Sequence, residues 1–307
     1  MSNYLNISKT WPFKMLPHTA TPGEHFDDDW ACKQIRFNEM QVFYQQKWIR
    51  SFTTKLQIIS TIEPDNLKLY NEFGIVVKQF AWTVVGTGTG NEKAYQTTYD
   101  VTDILTDGFY WLYQRCAILS VTLEAISEPI WIRDTHRNVR PFVFSHSKND
   151  FGLIFSGTNL SMTFMCESDM PANEYTFERD INNFTDQIHN VVKLSGYPYN
   201  NAKLIIGNPK GVPPYIVDIT NRILCCDNVE YNGLRIETPD GSKWEINKVK
   251  GYPLIGGTIE VTPAKNLSSL QLNDEDPIAP GIIVAYDLDQ GFMGTTNIVH
   301  ITDIQQS

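Results

Sequence analysis

With 307 residues, 42% of them hydrophobic and 12% aromatic, the chain has enough apolar side chains for substantial cores, which excludes wholesale disorder. A formal charge of -10, from 25 basic and 35 acidic residues, argues against a nucleic-acid backbone as the main partner, because phosphate binding is driven by Lys and Arg. A mean hydropathy of -0.27 and the lack of any apolar run near ~20 residues argue against a helical membrane span.

The N-terminus begins Met1-Ser2-Asn3-Tyr4 without a basic block and apolar run, so no secretion signal is expected. Cys32, Cys116, Cys166, Cys225 and Cys226 are odd in number and lack a CxxC spacing. That pattern suits neither a disulfide framework nor a zinc site, and fits folding in a reducing cytosol. The adjacent pair Cys225-Cys226 is expected to pack as small apolar residues.

Residues 1–34 set Trp11, Phe13 and Trp30 among Pro12, Pro17 and Pro22 with no sustained period, which reads as an extended N-terminal arm. Its rings need burial, either on a neighbouring subunit or on the chain's own body. Residues 35–127 read as a β-sandwich. Its strand-forming segments are 40–44, 55–60, 75–77, 81–85, 109–113 and 116–123, with a polar tip at 86–91 and a turn before Phe109. Residues 127–132 close this unit.

Residues 128–265 read as a second β-rich domain, opened by strands at 142–144 and 153–155. Lys203-Leu204-Ile205-Ile206-Gly207 precedes Gly211-Val212-Pro213-Pro214, which stops a strand and presets φ for a helix. Ile216, Ile219 and Ile223 then share one helical face, so one short helix is expected over about 214–226. Asn232-Gly233 tolerates the positive φ of a type I′ turn, so 229–231 and 234–237 should pair as a hairpin. Further strands are expected at 243–247 and 257–262. Residues 266–307 read as an acidic linker followed by a C-terminal strand extension, with strands at 281–286 and 297–301. The fold class is therefore mainly β: two β-sandwich or barrel-like domains, with one short helix in the second.

No residue set carries a catalytic, cofactor or metal signature. Gly86, Gly88 and Gly90 lack the dinucleotide-loop spacing and precede a strand pattern rather than a helix. Asp27-Asp28-Asp29 and Asp287-Leu288-Asp289-Gln290-Gly291 read as solvated turns rather than cation loops. His18, His25, His136, His146, His189 and His300 fall at no metal-ligand spacing. Ser145-His146-Ser147 has no nucleophile elbow around it. Arg133, His136, Arg137 and Arg140 read as a short solvated basic loop. Trp82, Trp111 and Trp131 suit either core packing or a sugar-stacking platform.

Beyond these readings, several segments carry a resemblance. They are Glu128-Pro129-Ile130, the run Asn138-Val139-Arg140-Pro141-Phe142 continuing to Phe151, Lys203 to Gly207, Gly211-Val212-Pro213, and Asn221-Arg222-Ile223-Leu224-Cys225-Cys226. Their succession, over about residues 125–265, is similar to tail structural proteins of phages of gut bacteria, including ring proteins of crAss-like podoviruses. The resemblance implies a non-enzymatic virion component of the tail, made and assembled in the host cytoplasm. It would form a homo-oligomeric ring of six or twelve copies that docks other phage tail proteins or fibres, without cofactors. The aromatic sandwich keeps a second reading open, a carbohydrate- or receptor-binding module. A hydrolase assembled from distant residues is a third.

Overall fold

The computed structural model describes residues 4–17, 36–37, 40–41, 45–87, 91–118, 121–171, 174–185, 189, 191–207, 210–248 and 254–263. The chain divides into two units, Met1–Lys265 and Asn266–Ser307. The whole of the second unit, with its expected linker and late strands, lies outside the described residues.

The chain is mainly β. Two sheets make the first body. One has the order β1 (Leu5–Ile7), β6 (Thr54–Ser60), β10 (Lys93–Tyr99), β9 (Thr83–Thr87). The other runs β2 (Met15–Pro17), β12 (Val121–Ser127), β11 (Gly108–Ile118), β13 (Ile130–Arg133), β5 (Gln46–Ile49). On the opposite edge of β11 pair β7 (Leu67–Asn71) and then β8 (Val76–Phe80). A short separate ladder joins β3 (Arg36–Phe37) to β4 (Met40–Gln41).

Alternation explains the packing. Along β11, Tyr110, Leu112, Gln114 and Cys116 are buried while Phe109, Trp111 and Arg115 point to the other face, as a pleated strand with one buried face requires. Cys116 lies in β11 and Leu123 in β12, so the strand expected over 116–123 is two strands.

The N-terminal segment is not a free arm where it is described. β1 pairs with β6, β2 pairs with β12, and both aromatics between them are buried in the chain's own body. Trp11 donates its indole N–H to the Gln57 carbonyl at 2.6 Å. Phe13 packs against Trp48 and Tyr99 at ring separations of 5.1 and 4.8 Å, so one aromatic knot fastens the arm to β5 and β10.

The second body is a closed barrel. Its strands are β14 (Val139–Ser145), β15 (Met162–Asp169), β17 (Val191–Ile206), β18 (Asn228–Tyr231), β19 (Leu234–Glu237) and β21 (Ile255–Pro263). β14 pairs with β15, β15 with β17, β17 with β21, β21 with β19, β19 with β18, and β18 with β14. β20 (Glu245–Lys248) adds to β21, and β16 (Thr176–Thr185) adds to β17. α1 (Pro214–Ile223) buries Ile216, Val217, Ile219, Thr220 and Ile223, the face that the isoleucine spacing indicates. Asn232 and Gly233 have φ of 50° and 78°, the left-handed pair that the tight β18–β19 turn needs.

Leu153 and Phe155 are buried, but in a loop rather than a strand. The Gln57 side-chain amide supplies the missing ladder there: it donates to the Ile154 carbonyl at 2.9 Å and accepts from the Ile154 N–H at 2.7 Å. One continuous hydrophobic core runs from Trp11 and Trp48 in the sandwich to Phe142, Leu204 and Val261 in the barrel.

Candidate assembly interface

The barrel strand β17 is much longer than the barrel. Only Ala202 to Ile206 pair with β21, and only Ile205 and Ile206 pair with β15. The rest runs outward beside β16 in ten paired rows, from Thr176↔Asn201 to Thr185↔Val191. At about 3.3 Å per row this hairpin is about 30 Å long. Leu194 is the extra residue of a bulge, because Asn182 pairs with Ser195 and Asn183 with Lys193.

The hairpin has no backing layer among the described residues: Thr176 to Arg179, Asn182 to Thr185 and Lys193 to Ser195 are all exposed. Four of its apolar side chains share that exposure, Phe177 at 82%, Phe184 at 56%, Val191 at 65% and Leu194 at 61%. Along β16 the side chains alternate, so Phe177 and Phe184 fall on opposite faces. β16 ends its sheet, and β17 outside 202–206 pairs with β16 alone among the described residues. Among the described residues, both long edges of the hairpin therefore lack a neighbouring strand. Sequence reading missed this element, because TFERDINNFT has no apolar–polar alternation to mark it.

A second edge feature lies on the sandwich. A groove of about 460 Å³ runs between β1, β2 and the outer end of β12, lined by Leu5, Ile7, Leu16 and Leu123.

The tryptophans divide. Trp82 stacks on Trp11 at 6.5 Å and donates to Gln114 Oε1 at 2.8 Å, an anchoring role inside the sandwich. Trp111 and Trp131 share the outer face of the larger sheet, since Trp111 pairs with Tyr70 and Trp131 with Phe109 two residues away. Phe109 and Trp131 lie 5.7 Å apart, and the Arg133 guanidinium sits 5.1 Å over the Trp131 ring. All three rings, Phe109, Trp111 and Trp131, are half-buried.

A buried polar centre joins α1 to the sandwich. Glu128 follows β12, and its main-chain N–H donates to the Lys14 carbonyl at 3.0 Å. Its carboxylate accepts the Tyr215 hydroxyl hydrogen and lies 3.8 Å from Lys14 Nζ, which also sits 4.1 Å over the Tyr215 ring. Gln46 Nε2 donates to the Tyr215 oxygen at 3.4 Å. Burial raises the Glu128 carboxyl to about 7, more than Tyr215 and Lys14 lower it. Burial likewise holds the Tyr215 hydroxyl well above its ordinary value, so it stays a donor.

Of the expected basic loop, His136 is buried rather than solvated. Its Nε2 meets the Trp131 carbonyl at 2.9 Å, and desolvation lowers its pKa. Arg133 pairs with Asp107 at 3.1 Å. Around His146, the Asp227 carboxylate accepts the Ser147 hydroxyl and lies 3.0 Å from His146 Nδ1, which accepts the Asp227 main-chain N–H at 3.2 Å. A nucleophile–base pair needs the imidazole in that middle position, and here the carboxylate holds it. Cys226 is buried as expected, whereas Cys225 is exposed.

Among the described residues no group of three or more His, Cys, Asp and Glu could hold a metal ion. Asp27–Asp29, the 287–291 segment, Cys32, His18, His25 and His300 lie outside the described residues. So does the glycine tip from Gly88 to Gly90, and the segment after it is the strand β10. No helix of the described residues is long and apolar enough to cross a membrane. No family model, curated protein or solved structure matches the chain.

Proposed function

We propose that this chain is a non-enzymatic structural protein of a phage tail, a ring or connector component. It oligomerises around the tail axis and docks neighbouring tail proteins or fibres in the virion. The observation that carries the proposal is the β16–β17 hairpin, an assembly element rather than a catalytic one. It projects exposed phenylalanines and two open edges, and an isolated two-stranded hairpin is only marginally stable in water. Burial against a neighbouring subunit removes both costs. The resemblance of residues 125–265 to phage tail ring proteins supports the same reading, since this hairpin lies within that span.

Size-exclusion chromatography with light scattering, and negative-stain images of the same peak, test it. Closed rings of six or twelve subunits are the expected result. A chain that remains monomeric at high concentration and in mixtures with tail proteins refutes it.

A second reading, a carbohydrate- or receptor-binding module, is favoured by one observation. Phe109, Trp111 and Trp131 lie on the same outer sheet face, beside Arg133. Sugar faces stack on rows of this kind. Glycan-array binding that disappears in Trp111→Ala and Trp131→Ala, with folding retained, selects this reading. Equal binding by the variants and the unmodified chain, or none by either, removes it.

A further inference from the structure

The shape of the hairpin specifies how copies meet. We propose that neighbouring copies join through their β16–β17 hairpins edge to edge, the free edge of β16 in one copy pairing with the free edge of β17 in the next. The resulting continuous sheet closes about the ring axis. This rests on the ring reading above and adds the contact that builds it.

Three observations favour a second copy as the occupant. The first is direction. Copies related by rotation about an axis along the hairpin all point the same way, and within each copy β16 and β17 run antiparallel. The strand order across copies is then β16, β17, β16, β17, with every junction antiparallel and its ladder interrupted at the Leu194 bulge. The contact joins two different edges of one element, which makes it head-to-tail, and head-to-tail contacts close into rings when the rotation allows.

The second is the placement of the apolar side chains. Phe177 and Phe184 project from opposite faces of β16. A partner layered on one face leaves the other phenylalanine in water. Strands added at both edges flank the rings on both faces, as cross-strand neighbours do in any sheet.

The third is charge. Segment 176–201 holds Glu178, Asp180 and Asp186 against Arg179 and Lys193, a net -1 in a chain of -10. Edge strands of proteins that avoid self-pairing are very short or carry charges, prolines or bulges. This hairpin runs for ten rows, with one bulge, at Leu194, and one proline, Pro198. Strand prolines sit with the nitrogen towards the unpaired edge, so the neighbour's strand is expected to pair beyond Pro198, over 191–197.

The test uses the full chain and a shortened variant in which residues 183–194 are replaced by Asn-Gly. The replacement turn joins Asn182 to Ser195, a directly paired row, and leaves intact the barrel-forming part of β17, Ala202 to Ile206. Amide hydrogen exchange of the unmodified chain, comparing assembled and monomeric fractions, gives a second readout that needs no variant. The expected result is at least about tenfold slower exchange over 176–197 in the assembled fraction, with the shortened variant monomeric. Rings that form equally well in the shortened variant, or hairpin amides that exchange alike in both fractions, overturn the edge-pairing contact and leave the ring reading standing. A full-length chain that is monomeric throughout overturns both.

Discussion

Glu128→Gln isolates the one carboxyl that burial shifts furthest. Glu128 is 7% exposed, and its folded-state value of about 7 stands above the ordinary 4.5. The unfolded chain therefore releases this proton near pH 4.5, while the folded chain holds it until about 7. Between those limits the folded state binds the extra proton, so the free energy of unfolding falls as pH rises. The gap corresponds to roughly 3 kcal/mol, a contribution complete below 4.5 and lost as pH climbs through 7. Glutamine keeps an acceptor for the Tyr215 hydroxyl but does not titrate. Urea unfolding followed by tryptophan fluorescence, from pH 4.5 to 8.5, compares the Glu128→Gln variant with the unmodified chain. The difference between them should grow by about 3 kcal/mol in the variant's favour across that range. His136 works in the opposite direction, since its lowered pKa costs stability as pH falls below 6.5, but both proteins contain it and it cancels. Two parallel stability curves across this range would refute the argument.

Three further outcomes are expected from the packing. Tyr99→Phe removes a fully buried hydroxyl without a hydrogen-bond partner, so the variant should melt at or above the unmodified chain, by up to about 1 kcal/mol in calorimetry. Gly207→Ala should cost at least about 2 kcal/mol in urea, because φ is 83° there and an added Cβ would lie 2.8 Å from the Ile255 carbonyl oxygen. Phe13→Ala should cost about 3–5 kcal/mol and expose the segment before β2 to limited proteolysis, since Phe13 wedges between Trp48 and Tyr99; unchanged cleavage would show that β1 and β2 suffice to hold it.

What the sequence discloses follows from how local each signal is. α1 and the Asn232-Gly233 turn are legible because a helical period and a φ requirement are written within a few residues. The split of 116–123 between β11 and β12 is not, since both strands supply apolar residues to one run and periodicity alone does not mark the break. Leu153 and Phe155 look like a strand because burial selects the same residue types, yet Gln57, nearly a hundred positions away, is what satisfies that backbone. Trp111 and Trp131 are alike in composition to the buried Trp11 and Trp48, and only sheet register separates outer from inner face. The candidate interface was invisible for a stronger reason: a strand exposed on both faces carries no alternation at all.

The same absence of alternation bears on function. Two devices limit edges in other parts of the chain: β1 and β2 are three residues each, and six barrel strands close on one another through β17 and β21. The β16–β17 hairpin does neither, and it places four large apolar side chains where water meets them. In a protein acting alone, such a segment costs stability and invites aggregation with nothing gained. In a ring the costs are reversed on assembly, because each copy supplies the edge that its neighbour lacks. On that argument the hairpin contributes little to the stability of the monomer and most of the energy of association. The shortened variant should therefore unfold at the same urea concentration as the monomeric full-length chain, while losing the ability to assemble.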